Sequence, residues 1–283
     1  MLADAEKSAQ NAAAAEGRGG VLLPLQPSVS SFWDVHAFGS SESTNVVVKE
    51  ALRAGAPEGF CATALEQSGG YGRQGRVWAS PQGGLYTSFA LRPNVSPQML
   101  PTLSLVVSLA VADALESVQP ACHALIKWPN DVLCTEGKLA GISLEALAGG
   151  VCVGVGVNVY RPAQECQVSG KYRLAYVGEG CVQPGISADQ RKVMTQLLEA
   201  MLAAVESRYR LWREQGFAAF IDEYGQRFAY RNKRASLALI DGTETIEGII
   251  RGVDECGRLL VETEEDAVVP MSSGEVHVTA LDS

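Results

Sequence analysis

Residues 67–78 read QSGGYGRQGRVW. Gly69, Gly70, Gly72 and Gly75 let the backbone bend and come close to a ligand. Arg73 and Arg76 add two guanidinium forks. Backbone N–H groups and arginines on a glycine-rich segment suit a phosphate. No Asp or Glu occurs from Gln67 to Ala112, although the chain carries a formal net charge of -9. That gap is expected to keep carboxylates out of an anion site. The spacing Gly70-x-Gly72-x-x-Gly75 formally matches a dinucleotide fingerprint, but that fingerprint needs a helix to start at the loop. Here VWASPQGGLY follows, which reads as turn and then strand.

Two further clusters carry chemistry, KWPND (127–131) and GKLAG (137–141). Pro129 sets a bend, and Asn130 and Asp131 present oxygens at a strand end. Such oxygens suit a magnesium ion that keeps its waters or phosphate ligands. Lys127 with Asp131 also reads as a surface ion pair. Lys138 opens an apolar strand, where a buried ammonium needs an anionic partner; a carboxylate or phosphate substrate would supply one. Ser43, Thr44 and Asn45 stand where a helix starts and read first as caps, although the same groups can face a ligand. His36, His123 and His277 are scattered, with no metal or triad spacing, and read as structural.

The elements that must hold these groups follow from pattern. SFWDVHAF (31–38) reads as a strand, VVVKEALRAG as a helix ending at Gly55, and 60–66 as a buried strand feeding the glycine loop. A strand over 84–92 puts Tyr86, Ser88 and Ala90 on one face. A mostly apolar helix is predicted over 102–118, and strands over 122–128 and 132–134. A hairpin from GKLAGISLEALAGG into VCVGVGVNV turns at Gly149-Gly150. Gly154 and Gly156 bare one face of its second strand, a sign of close approach by a ligand or another chain segment. Ser187-x-x-Gln190 is a capping box opening a long amphipathic helix to about Gln215, and 217–230 reads as another helical piece. Past RNKR (231–234), five short strands with DGT, DECG and SSG turns read as a small antiparallel barrel.

The length of 283 residues suits one large domain and one small one. The expected division is a mobile tail over 1–28 (with a frayed helix over 3–15), a main domain over 29–230 and a small barrel over 231–283. The acidic balance argues against a general nucleic-acid binder, and the apolar runs are read as too short for a membrane span. The seven cysteines form no CxxC pair and no framework, which fits a reducing cytoplasm.

QSGGYGRQGRVW, SPQGGLYTS, KWPND, GKLAGISLE and GVGVN occur in this order, and residues 31–279 resemble a bacterial biotin protein ligase (biotin–[acetyl-CoA-carboxylase] ligase). The resemblance implies an α+β fold: a mixed sheet flanked by helices, of the class II tRNA synthetase-like kind, with a small SH3-like β-barrel at the C-terminus. It lacks the N-terminal DNA-binding domain of the bifunctional members and so looks monofunctional. The implied reaction joins biotin and ATP into biotinyl-5′-AMP, then transfers biotin to a lysine of a biotin carboxyl carrier domain. The implied substrates are biotin and ATP with Mg2+, without a tightly bound cofactor, a nucleic acid or a membrane; a homodimer is left open.

By the same resemblance, Ser43, Thr44 and Gln67 hydrogen-bond the ureido ring, with Gly70 and Gly141 beside biotin. Arg73 closes over the carboxylate and α-phosphate, and Arg76 binds ATP phosphates. Trp78 stacks near adenine, Lys138 bridges carboxylate and α-phosphate, Asn130 helps hold magnesium, and Asn158 reaches the nucleotide. Lys127 serves phosphate binding and Asp131 the incoming acceptor lysine. The family loop is GRGRxGRxW, and Tyr71 stands where its first arginine would be. A lipoate or octanoate ligase or transferase shares the fold, but the arginine–glycine loop with KWPND favours biotin. A non-catalytic biotin sensor is disfavoured by the acidic charge.

Overall fold

The computed structural model describes residues 22–163, 173–182, 185–238, 245–265, 267–272 and 275–277. The expected helix over 3–15, the DGT turn, most of the SSG turn and Cys166 lie outside them.

A seven-stranded sheet is built from β1 (Asp34–Phe38), β2 (Phe60–Ala64), β3 (Gly84–Leu91), β4 (Leu125–Lys127), β5 (Asp131–Cys134), β6 (Gly137–Leu147) and β7 (Gly150–Asn158), in the order β1-β2-β3-β7-β6-β5-β4. β1 runs parallel to β2, and every other neighbouring pair is antiparallel. The sheet is therefore mixed, as expected. The hairpin between β6 and β7 turns on Ala148 and Gly149, both with positive φ, rather than on Gly149-Gly150. Both central residues of such a two-residue loop need the left-handed region, and Gly150 is already paired with Leu147.

The sheet is covered on both faces. α1 (Thr44–Arg53) packs Val48 and Leu52 against Ala62, Ala90 and Cys152. On the other side lie α2 (Leu103–Val118) and α3 (Ala188–Gln215), which share the main core with the sheet. α3 begins at the expected capping box, in which the Ser187 side chain accepts from the Gln190 N–H and the Gln190 side chain accepts from the Ser187 N–H. Burying α2 on nearly all sides explains its unbroken apolar sequence. Leu100–Val118 is long and apolar enough by composition to cross a membrane, contrary to the sequence reading, but it is a core helix: Leu109, Ala110, Val111 and Ala112 are fully buried.

The helical piece expected over 217–230 is a 3-10 turn (Phe217–Phe220) and a short α4 (Ile221–Arg227). It stops because Phe228 and Ala229 leave the helix to pair with Ile126 on edge strand β4. The last part of the expected tail is also ordered by contact. Leu25 is buried, and Ser28 N–H donates to Glu199 of α3 at 2.6 Å.

The second sheet contains β8 (Arg234–Ala238), β9 (Thr245–Val253), β10 (Leu259–Glu262), β11 (Val268–Met271) and β12 (Glu275–His277), in the antiparallel order β11-β10-β9-β8-β12. Its Leu237, Ile250, Leu259 and Val261 are fully buried in the same core as α2. A direct hydrogen bond, from Trp128 Nε1 to the Gly257 carbonyl at 2.9 Å, joins KWPND to the β9–β10 turn.

Candidate active site

The floor of the site is the bared face of β6 and β7, where Gly141 and Gly156 are paired in register. A methyl group on Gly156 would lie 2.6 Å from Trp78 Nε1, and one on Gly141 would lie 3.0 Å from the same indole. The glycines therefore let the Trp78 ring lie flat on the sheet. Trp78 Nε1 is buried and has no hydrogen-bond partner among the described residues. An unpaired buried indole N–H is unfavourable, so this nitrogen marks a place for an acceptor. Beyond Trp78 a cleft opens between Gly84, Tyr86, Asn158, Tyr160 and Tyr176. Asn158 Nδ2 donates to the Lys138 carbonyl at 3.0 Å.

At the other end of the floor, buried polar side chains join α1, β3 and the glycine loop. Ser43 occupies the N-cap position of α1 but makes no side-chain capping bond. Gln67 reaches in from the loop instead, and its Oε1 accepts the Thr44 N–H at 2.8 Å. The cap expected of Ser43 is thus supplied from outside the helix, and Thr44 and Gln67 are brought together. Gln67 Nε2 donates to Ser80 Oγ, and Ser80 Oγ donates to the Trp78 carbonyl. Gly70 lies directly over this link: a methyl there would sit 2.2 Å from Ser80 Oγ. Glycine at 70 is therefore required by the protein's own polar network.

The arginine loop is folded as a 3-10 turn over Arg73–Gly75, with Gln74 and Gly75 at positive φ. Arg73 Nη1 donates to Asn130 Oδ1 at 3.0 Å, which docks the loop onto KWPND. Arg76 lies exposed at the loop tip, and its Nη2 donates to Gln74; the fold does not bring it to the floor. Tyr71 Oη donates to Glu145 Oε1 at 3.0 Å, and Lys49 Nζ pairs with Glu145 Oε2 at 2.9 Å. Burial pushes the Tyr71 phenol up, and the Glu145 hydrogen bond adds to that. For Lys49, burial pulls the ammonium down but Tyr71 and Glu145 more than offset it, leaving it raised. The acid-free stretch of sequence did not keep carboxylates from the loop, because β6 carries Glu145 to it.

Lys138 Nζ meets Asp131 Oδ1 at 2.7 Å and lies 4.9 Å from the Trp78 ring centre. The lysine's anionic partner is therefore internal, and Asp131 pairs with Lys138. Lys127 is buried at the end of β4, directly opposite Asp131 in register. Asn130 Nδ2 donates to the Ile142 carbonyl at 2.7 Å while its oxygen accepts from Arg73. No cluster of three or more metal-binding side chains occurs among the described residues.

The fold thus gathers Ser43, Thr44, Gln67, Gly70, Trp78, Lys138, Gly141 and Asn158 along one floor, with Arg73, Asn130 and Asp131 at its edge. Ser80, Ser88 and Ser143 were not assigned to it from sequence. Ser88 shared the predicted face with Tyr86 and Ala90, which was the available signal, and nothing local marks Ser80 or Ser143.

Residues 37–159 match the biotin/lipoate A/B protein ligase family, and residues 238–278 match the biotin protein ligase C-terminal domain. The biotin–[acetyl-CoA-carboxylase] ligase of Paracoccus denitrificans is 33% identical over 211 residues, covering 70% of this chain and 82% of that one. That of Mycobacterium tuberculosis is 31% identical over 241 residues, covering 83% and 86%. The chain belongs to the biotin protein ligase family. The bifunctional ligase/repressor BirA of Escherichia coli is a further member, 30% identical over 79% of this chain and 68% of its own. Among solved structures of the family, the Aquifex aeolicus ligase in complex with biotin and ATP has a TM-score of 0.67 at 28% identity, covering 88% of this chain and 98% of that chain.

Proposed function

We infer that the protein is a biotin protein ligase that activates biotin with ATP and transfers it to a lysine of a carrier domain. The observation that carries this reading is the convergence of Thr44, Gln67, Trp78 and Lys138 on the glycine floor of β6 and β7, in a member of that family. In the first step a biotin carboxylate oxygen bonds to the α-phosphorus, the bond to the β-phosphate bridge breaks, and pyrophosphate leaves. In the second, a lysine amine attacks the acyl carbon, an amide forms, AMP leaves and the amine gives up a proton. Both steps gather negative charge on oxygen, so fixed cations and N–H donors are the main catalytic contribution.

Lys138 is positioned to exchange partners. In this structure Asp131 neutralises it; when the biotin carboxylate and α-phosphate arrive, the ammonium swings to them and Asp131 becomes the acceptor for the proton of the incoming lysine. Ser43, Thr44 and Gln67 hold the ring end of biotin, with Gly70 and Gly141 permitting close approach. Trp78 and Asn158 border the nucleotide cleft. Arg73, docked on Asn130, closes over the adenylate, while Arg76 reaches ATP phosphates only if the loop tip folds inward. Lys127, opposite Asp131 on β4, supports the phosphate side. Asn130 would help hold Mg2+, with phosphates and water completing its shell; the ion would neutralise phosphate charge. The acceptor is a biotin carboxyl carrier domain of acetyl-CoA carboxylase or a related carboxylase. The described cysteines are all free thiols, which supports a cytoplasmic setting.

Pyrophosphate release tests the reading. Biotin with ATP is expected to drive it, and a carrier domain to become labelled. Release with lipoate or octanoate instead of biotin would move the chain to the acyl-ligase branch, and none with any acid would leave a sensor.

A further inference from the structure

The proton directions along the buried network beneath the ring site are determined by counting donors. Gln67 Oε1 faces the Thr44 backbone N–H, a group that can only donate, so its Nε2 must face Ser80, whose own proton goes to the Trp78 carbonyl. On the other side, Thr44 Oγ1 lies 2.7 Å from Ser88 Oγ and 3.0 Å from Gln67 Oε1, and its single proton can serve one of them. Ser88 Oγ lies 2.7 Å from Asn45 Oδ1. That length is usual for O–H···O and short for N–H···O, so Asn45 presents its oxygen and takes the Ser88 proton. Its amide nitrogen faces Ser143 Oγ at 3.5 Å, and the Cys152 thiol also approaches its oxygen. With the Ser88 proton used, the shorter Thr44–Ser88 contact takes the Thr44 proton.

We propose that Asn45 and Ser88 are positioning residues that consume the Thr44 hydroxyl proton, so that Thr44 meets the bound ring only as an acceptor and selects a ring N–H. This rests on the biotin reading above. Asn45, Ser88 and Ser143 touch no substrate atom in it; they are held where they are because Gly154 is bare, since a methyl there would sit 2.3 Å from Asn45 Oδ1 and 2.6 Å from Ser143 Oγ. Thr44 and Ser88 are both almost fully buried, 3% and 1% exposed, so water does not rescramble the directions. Chemically, the site is thereby biased toward a cyclic urea and against an isosteric ring with oxygen in place of the facing N–H.

The test uses the full chain, biotin, and the two ring carbamates of biotin in which one or the other N–H is replaced by oxygen. Calorimetric titration of the wild type is expected to show one carbamate binding about tenfold to a hundredfold more weakly than biotin, the effect of setting two acceptors face to face in a buried site. In Ser88→Ala the Thr44 proton keeps only the longer 3.0 Å contact to Gln67 Oε1, which already accepts the Thr44 N–H, and can leave it for the ring oxygen, so that penalty should shrink to within about threefold. A purely structural defect would weaken biotin and carbamate alike. Asn45→Ala gives an independent second variant, because it removes the acceptor that draws the Ser88 proton, and should shrink the penalty in the same way. A wild type indifferent to both carbamates, or variants that keep the full penalty, would overturn the proposal. A wild type that binds no biotin would instead overturn the functional reading on which it rests.

Discussion

At the scale of single residues, the deciding feature is Lys138. A lysine ammonium largely withdrawn from water is tolerable only beside an anion, and Asp131 at 2.7 Å is that anion. The same geometry makes the ammonium available to a substrate that brings its own negative charge. Lys138→Ala is therefore expected to lower adenylation by roughly two to three orders of magnitude, about 2.7–4 kcal/mol of transition-state stabilisation. Pyrophosphate release under single-turnover conditions measures it, and a rate close to wild type would take Lys138 out of the chemistry. The glycine at 70 illustrates a second residue-scale point: its missing side chain makes room for the Gln67–Ser80 hydrogen bond, so the requirement lies in the protein as much as in the ligand.

At the scale of elements, the glycine loop is held by two clamps of different origin. Arg73 ties it to the β4–β5 turn through Asn130, and Tyr71 ties it to β6 through Glu145 and, behind that, to α1 through Lys49. The Tyr71 phenol holds its side of the loop by donating to a carboxylate that the fold delivers. Removing one clamp should loosen the loop without abolishing chemistry. Arg73→Gly is expected to form adenylate but retain it less well, seen as faster exchange of bound biotinyl-5′-AMP. Adding Tyr71→Phe should accelerate release about fivefold further, the effect of losing one hydrogen bond of about 1 kcal/mol. Equal release from the single and double variants would show that Tyr71 holds nothing.

At the scale of the whole molecule, two contacts knit the parts together. Trp128, inside the KWPND motif, bonds to Gly257 in the second sheet, so the motif that borders the site also docks the C-terminal region. Trp128→Phe should lower stability by about 1 kcal/mol, read as an earlier urea midpoint with an unchanged slope. The second contact is a charge network between helices: Arg208 of α3 meets Asp113 of α2 and Glu223 of α4, and Arg227 meets Asp113 and Glu116. The Arg208 hydrogen bond holds the Glu223 carboxyl below its ordinary value of 4.5, against the opposing effect of burial. A depressed carboxyl contributes stability that is fully present above the unfolded value and is lost as pH falls through the folded one. The melting temperature should therefore decline below about pH 4.5, and Glu223→Gln should flatten part of that decline; an unchanged acid limb would remove Glu223 from it.

Taken by itself, the chain order of QSGGYGRQGRVW, KWPND, GKLAG and GVGVN, with its flanking periodicities, determined the sheet, the helices and most of the residues along the floor. These features are local: a strand alternates, a helix repeats, a capping box is written within four positions, and a lysine in an apolar strand stands out from its neighbours. Tertiary structure alone decided who partners whom. Nothing in the sequence says whether Asp131 pairs with Lys127 or with Lys138, and the acid-free run around the loop gave no warning of Glu145. Ser80 and Ser143 carry no local mark, because a serine looks the same in sequence whether it faces solvent or ends a hydrogen-bond chain. Hydrogen-bond direction depends on counting protons among groups that come from α1, β3, β6 and the loop, and only folding sets those groups side by side.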